Sequence, residues 1–209
     1  MDVREALSQI SDIRHHVHRS GVFRGYRALT TAFSGVVAFA AAHVQELYFP
    51  HPEQYLDIYL FIWLSAGLLC LGAAAVALIE RCRQSGSVVQ RDLALHAIEQ
   101  LMPSLVAGGL ITFVLARYEI EMTVLLPGLW AILLGLGVFA SRRLLPRPIA
   151  IVGGYYLVAG LFILSEFPGI AAFQPWVMGL TFGGGQLLAA AILWWTLERP
   201  ETEATHGLA

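Results

Sequence analysis

The chain has 209 residues, of which 57% are hydrophobic and 13% charged, with a formal net charge of −2. That balance lies well outside a soluble globular domain, and no basic patch is interleaved with aromatics as a nucleic-acid binder requires. A bilayer-crossing helix needs about 20 apolar residues. Six such runs with short connections take up most of the length, leaving no room for a second folded domain.

Residues 1–27 read as a cytoplasmic amphipathic N-terminal segment. Val3, Leu7, Ile10, Ile13 and Val17 recur at helical spacing, which predicts a helix lying on the membrane surface before the first span. Its far end gathers Arg14, His15, His16, His18 and Arg19, a candidate cytoplasmic cluster. It would sit beside anionic headgroups, dock a cytoplasmic protein partner, or titrate as a histidine switch. A solvated surface helix with no further role accounts for the same residues.

Six spans are expected at 28–48, 55–79, 95–116, 122–140, 149–164 and 175–197. They form a transmembrane domain over 28–197, followed by a short cytoplasmic tail at 198–209. Ala38-Phe39-Ala40 has the small-x-small form of a signal-peptidase site. However, 27 residues precede the apolar run, longer than a usual signal-peptide start, so retention of the first helix is expected.

All thirteen basic residues are arginines, and they are distributed unevenly. Arg4, Arg14, Arg19, Arg24 and Arg27 precede the first span; Arg81, Arg83 and Arg91 follow the second; Arg142, Arg143 and Arg147 follow the fourth; Arg199 follows the sixth. Only Arg117 falls in an odd-numbered gap. Short basic loops stay in the cytoplasm, so both termini are expected there. Tight outer connections then make antiparallel neighbours. The expected fold is all-α: an integral membrane bundle of six transmembrane helices arranged as three antiparallel hairpins, N-in and C-in. Tyr48, Phe49, Tyr55, Tyr118 and Trp176 supply outer interfacial aromatics; Tyr26, Trp194 and Trp195 supply inner ones. Cys70 lies within a span and Cys82 in a cytoplasmic loop, so no disulfide is expected between them.

His43-x-x-Glu46 and His96-x-x-Glu99 each set an imidazole and a carboxylate one turn apart. They lie near opposite ends of their spans, roughly 22 Å apart in depth, so they cannot share an ion or a haem. Each is at most half a site, and an interfacial histidine explains both. No metal or other cofactor is implied. The outer gaps carry Glu46, Glu53, Asp57, Glu119, Glu121 and Glu166 beside His43 and His51. Such a rim would concentrate cations or bind a divalent ion through oxygen ligands. The same surplus also arises simply because arginine is kept out of translocated loops. Within it, His43, Glu46 and Asp57 form the candidate outer polar cluster, flanking one tight turn.

Pro103 and Gly108-Gly109 in the third span, and Pro127-Gly128 in the fourth, are where helix interruptions are expected, as in solute carriers. Deep charges are absent from spans three to six, where Gln186 and Tyr155-Tyr156 are the notable polar groups. Gly153 with Gly160, and Gly179 with Gly183, make small-residue faces for close packing, within the chain or in a homo-oligomer. Glu46 to Pro50 and Glu166 to Pro168 close the first and third hairpins alike, and the second and sixth spans end similarly. An internal repeat and plain convergence both explain this. No enzyme motif occurs: Gly-x-Ser-x-Gly, His-Glu-x-x-His and paired cysteines are missing, and Ser65, Ser104 and Ser165 have no histidine at helical spacing.

Asp12-Ile-Arg14, Arg19-Ser20 and Phe23 lead into Ser34-Gly35; Pro103-Ser-Leu-Val-Ala-Gly108-Gly109 and Leu125-Leu-Pro127-Gly-Leu129 follow. In this order of segments the chain resembles an uncharacterised bacterial family of small six-helix integral membrane proteins, over nearly its whole length. Members are often encoded beside a winged-helix regulator. The resemblance implies a bacterial inner-membrane location and a place in a regulated stress or signalling unit. It supplies no catalytic residues, and the His15-His16-x-His18 cluster departs from its pattern. The expected role is a non-enzymatic regulatory or interaction component, contacting the lipid bilayer and either a cytoplasmic protein or a second copy. The alternative is a small solute or cation transporter or channel with an acidic outer vestibule.

Overall fold

The computed structural model of the chain describes residues 28–85, 88–143 and 145–199. Among these residues every regular element is helical and no strand occurs. The order is α1 (Ala28–Tyr48), α2 (Leu56–Ser85), α3 (Val88–Tyr118), α4 (Leu126–Ala140), α5 (Ala150–Glu166) and a composite α6. The last comprises an α turn Pro175–Met178, a π segment Gly179–Gly184, an α helix Gly185–Leu193 and a second π segment Trp194–Glu198. In hydrocarbon a backbone must satisfy its own polar groups, so apolar runs of this length become helices. Six are long and apolar enough to cross a membrane: Ala28–Tyr48, Leu56–Glu80, Ile98–Tyr118, Ile120–Ala140, Arg147–Glu166 and Pro175–Leu197. Prolines mark several starts. Pro52, Pro127, Pro148 and Pro175 occupy first-turn positions, where the missing N–H has no intrahelical partner to lose.

Two features depart from the sequence-based expectation. α2 and α3 outlast their apolar spans: α2 continues to Ser85, past Glu80, and α3 begins at Val88, ten residues before Ile98. At about 1.5 Å per residue, α3 thus extends roughly 15 Å beyond the span. What the sequence reads as an arginine-bearing loop is helix on both sides of residues 86–87. The interruptions follow the expectation in part. α3 runs unbroken through Pro103 and Gly108-Gly109. The fourth span, Ile120–Ala140, is 3-10 helix over Ile120–Leu125 and passes into α4 at Leu126, beside Pro127. Irregularity also falls in α6, widened to π geometry over Gly179–Gly184 and again over Trp194–Glu198.

Packing follows the small residues. A Cβ on Gly128 would lie 2.9 Å from the Gly160 carbonyl oxygen, and one on Gly135 would lie 2.9 Å from that of Gly153. These pairs bring α4 and α5 into backbone contact along their length. α1 meets α6 in the same way. A Cβ on Gly179 would lie 2.8 Å from Ala42 Cβ, one on Gly183 would meet the Phe39 ring at 2.6 Å, and one on Gly35 would meet Leu187 at 2.9 Å. Without a hydrophobic drive between helices in lipid, such close approach supplies the dispersion contacts that hold them together. α3 lies along α4 and α2 along α1, while α2 and α3 hardly touch each other. Burial records the difference. Only 6% of residues in the spans of α2 and α3 are buried, against 33–44% in the other four.

Two apolar clusters tie these pairs together. Ala28, Ala131, Ile149, Val152, Tyr156, Ala189 and Leu193 form one. Ala38, Ala42, Tyr59, Trp63, Phe173 and Met178 form the other, joined by Val124, Trp130 and Phe182. The second cluster surrounds the polar groups described next.

Candidate functional site

Among the described residues the most enclosed polar side chain is Gln45, in the last two turns of α1, with 0% exposure. A buried primary amide must spend its donor and acceptor. Gln45 Nε2 donates to the Phe173 carbonyl oxygen at 3.0 Å, and its Oε1 accepts from Trp63 Nε1 at 2.8 Å. One side chain therefore joins α1, α2 and the turn Gly169–Phe173 that precedes α6. Tyr59 lies one helical turn before Trp63 on α2, 1% exposed, its ring 4.6 Å from that of Phe173. Its hydroxyl oxygen is buried and has no hydrogen-bond partner. The node is neutral and, this hydroxyl apart, already satisfied.

Related bonds fasten other neighbours. Trp130 Nε1 of α4 donates to Thr112 Oγ1 of α3 at 2.8 Å, and Thr112 in turn donates to the Gly108 carbonyl at 2.7 Å. On α5, Tyr155 Oη donates to the Leu180 carbonyl at 2.7 Å and Tyr156 Oη to that of Phe182 at 3.3 Å. Both acceptors lie in the first π segment of α6. Widening a helix disturbs its own i to i−4 ladder, and here tyrosine hydroxyls bond carbonyls within the widened turn. The tyrosine pair expected as an isolated polar feature is thus bound to the irregular part of α6.

The candidate outer cluster is placed differently from Gln45. His43, Glu46 and Asp57 are all exposed. His43 and Glu46 flank Gln45 in sequence but do not share its buried face. His51, Glu119, Glu121 and Glu166 are exposed as well. The Arg117 guanidinium lies 5.6 Å from the centroid of the Tyr118 ring. His96 and Glu99 are both exposed on α3. Among the described residues no group of three or more His, Cys, Asp or Glu side chains could hold a metal ion. Ser65 and Ser165 each donate to a carbonyl three residues back, in Ile62 and Phe162. The cytoplasmic cluster Arg14, His15, His16, His18 and Arg19, with the expected surface helix at 2–24, lies outside the described residues.

Gln45 is the residue that charge-led reading passes over. The signal that finds it is Thr31, Gly35, Ala38, Ala42 and Gln45, buried at alternating spacings of four and three along α1. This stripe of small residues ends in an amide.

No known protein family, curated protein or solved structure matches the chain.

Proposed function

We propose that the chain is a multi-pass protein of the bacterial inner membrane, folded as three antiparallel helical hairpins with both termini in the cytoplasm. We propose further that it acts as a non-enzymatic regulatory or interaction component through its cytoplasmic side. The observation that carries this reading is the continuation of α2 and α3 as helix beyond their apolar spans. A helical arm standing clear of the bilayer gives a folded surface for a protein partner. It carries Arg81, Arg83, Arg91 and Asp92, polar residues at a level where lipid no longer requires apolar ones. The arginine distribution supports placing the arm in the cytoplasm, on the same side of the membrane as the N-terminus.

Purification of the tagged full chain in mild detergent, with identification of co-purifying proteins, tests the reading. Removal of residues 2–20, or the pair Arg83→Gln and Arg91→Gln, is expected to abolish a specific association while leaving the protein folded. An association that survives both changes overturns the proposal.

A second reading, a small solute or cation carrier with an acidic outer vestibule, draws on one observation. The buried Gln45–Trp63–Tyr59 node, with the Tyr59 hydroxyl unpaired, includes a residue next in sequence to the exposed Glu46 and two after the exposed His43. Ion or solute flux into proteoliposomes that is unchanged by Glu46→Gln and Asp57→Asn removes that reading.

A further inference from the structure

A shallow apolar groove runs along one outward face of α5 and α6. Its wider part, about 420 Å³, is lined by Ile151, Gly154, Val158 and Phe162 of α5 and by Leu188 of α6. A second depression of about 280 Å³ is lined by Pro148, Ile192 and Trp195 among others. These continue the first by one helical turn on each helix: Pro148 stands three residues before Ile151, and Ile192 four after Leu188. The floor is open because no atom lies within 4 Å of where a Cβ on Gly154 would be. From Pro148 to Phe162 the groove is roughly 21 Å long, more than the roughly 15 Å half-thickness of a bilayer's hydrocarbon.

One end of this groove is basic. Arg147, exposed, immediately precedes Pro148. The Arg199 guanidinium lies 4.5 Å from the centroid of the Trp195 ring, which itself lines the groove. The turn Ser141–Arg143, carrying the exposed Arg142, packs against the turn Arg147–Ile149. Apolar length below and cationic groups at the rim match a molecule with an acyl chain and a negative head. A transmembrane helix without an acidic residue at its end would gain nothing from the arginines.

We propose that this face binds an anionic phospholipid, with one acyl chain along Ile151, Gly154, Val158 and Phe162 and the phosphate against Arg147 and Arg199. Arginine near an anionic lipid surface contributes about 1 kcal/mol, about fivefold in affinity for each residue. The proposal requires only membrane placement, so it stands or falls separately from the docking role of the helical arm.

Native mass spectrometry of the full chain in mild detergent, titrated with phosphatidylglycerol or with phosphatidylcholine of the same acyl chains, tests it. Phosphatidylglycerol is expected to remain bound when phosphatidylcholine is lost. The pair Arg147→Gln and Arg199→Gln is expected to bring the two lipids to equal retention. Gly154→Phe, which fills open space rather than a packed seam, is expected to weaken binding while the arginines remain. Equal retention of both lipids by the unaltered chain overturns the proposal, as does phosphatidylglycerol binding that ignores the arginine pair. Binding that ignores Gly154→Phe overturns the placement of the acyl chain. A dimer that Gly154→Phe dissociates assigns the groove to a second copy and overturns the lipid.

Discussion

Gln45 illustrates how a membrane protein uses a single amide. Replacing it with leucine leaves the Trp63 indole N–H and the Phe173 carbonyl without their shared partner. Hydrogen bonds between membrane helices average about 0.6 kcal/mol, with a maximum near 1.7, but a buried group left unpaired costs about 1–3 kcal/mol. Gln45→Leu is therefore expected to destabilise the protein by about 2 kcal/mol, read as a lower unfolding midpoint in detergent. Trp63→Phe is expected to cost less, and a double-mutant cycle between the two positions to give a coupling near 1 kcal/mol. A Gln45→Leu chain that unfolds like the unaltered one would refute the role of the node. At this scale the sequence is only half legible. His43 and Glu46 stand out because they are ionisable, yet helical phase, set by neighbours four and three residues away, decides which position between 43 and 46 faces the core.

Between elements, glycines decide which helices meet. Gly128 and Gly160 lie backbone to backbone, whereas Gly67 and Gly72 on α2 face open space. A leucine at Gly160 must force α4 and α5 apart, at an expected cost of about 3 kcal/mol. The same change at Gly67 is expected to leave the unfolding midpoint unaltered, and comparison of the two variants in one detergent checks both. Tyr155→Phe and Tyr156→Phe each remove a donor from a carbonyl of the π segment in α6. They are expected to cost about 0.6–1.7 kcal/mol each and to raise hydrogen exchange of backbone amides within Gly179–Gly184. Sequence reading finds Gly153, Gly160, Gly179 and Gly183 as packing faces, and the structure uses all four. Their partners were not legible, because small residues occur on nearly every span. A missing N–H is the physical reason to expect interruptions at Pro103 and Pro127, and the two prolines behave differently. Pro103 costs α3 a single bond within an otherwise intact ladder, whereas Pro127 stands where the fourth span changes from 3-10 to α geometry. The widening of α6 coincides with a glycine run that takes α5 tyrosines against its backbone: Gly185 lies against the Tyr156 ring.

For the molecule as a whole, the six spans were readable because bilayer thickness sets their length, and the expected ends agree with the apolar spans of the described helices to within about three residues. The proposed orientation makes a direct prediction. With Cys70 and Cys82 replaced by alanine, a cysteine at His51 is expected to react with a membrane-impermeant maleimide added outside intact cells. A fluorescent protein that matures only in the cytoplasm is expected to be bright when fused to the C-terminus. The reverse pattern at both positions would invert the topology. The arrangement of helices was not legible, since hydropathy carries no information about which lipid-compatible surfaces meet. α1 and α6, the first and last described helices, pack together, while α2 and α3 stay at the periphery.

That closure of first helix on last has a consequence in time. The Gln45 amide and the Phe173 carbonyl it binds are 128 residues apart. At roughly 5–20 residues per second, a ribosome needs roughly 6–26 s to span that interval. Throughout it, α1 has been made but its partner has not, and a polar amide waits in the membrane without its final acceptor. The nascent protein is therefore most vulnerable to membrane proteases before its last helix arrives. A chain truncated ahead of Gly169, which lacks both the Phe173 carbonyl and α6, should be degraded quickly, although five of the six described spans are complete.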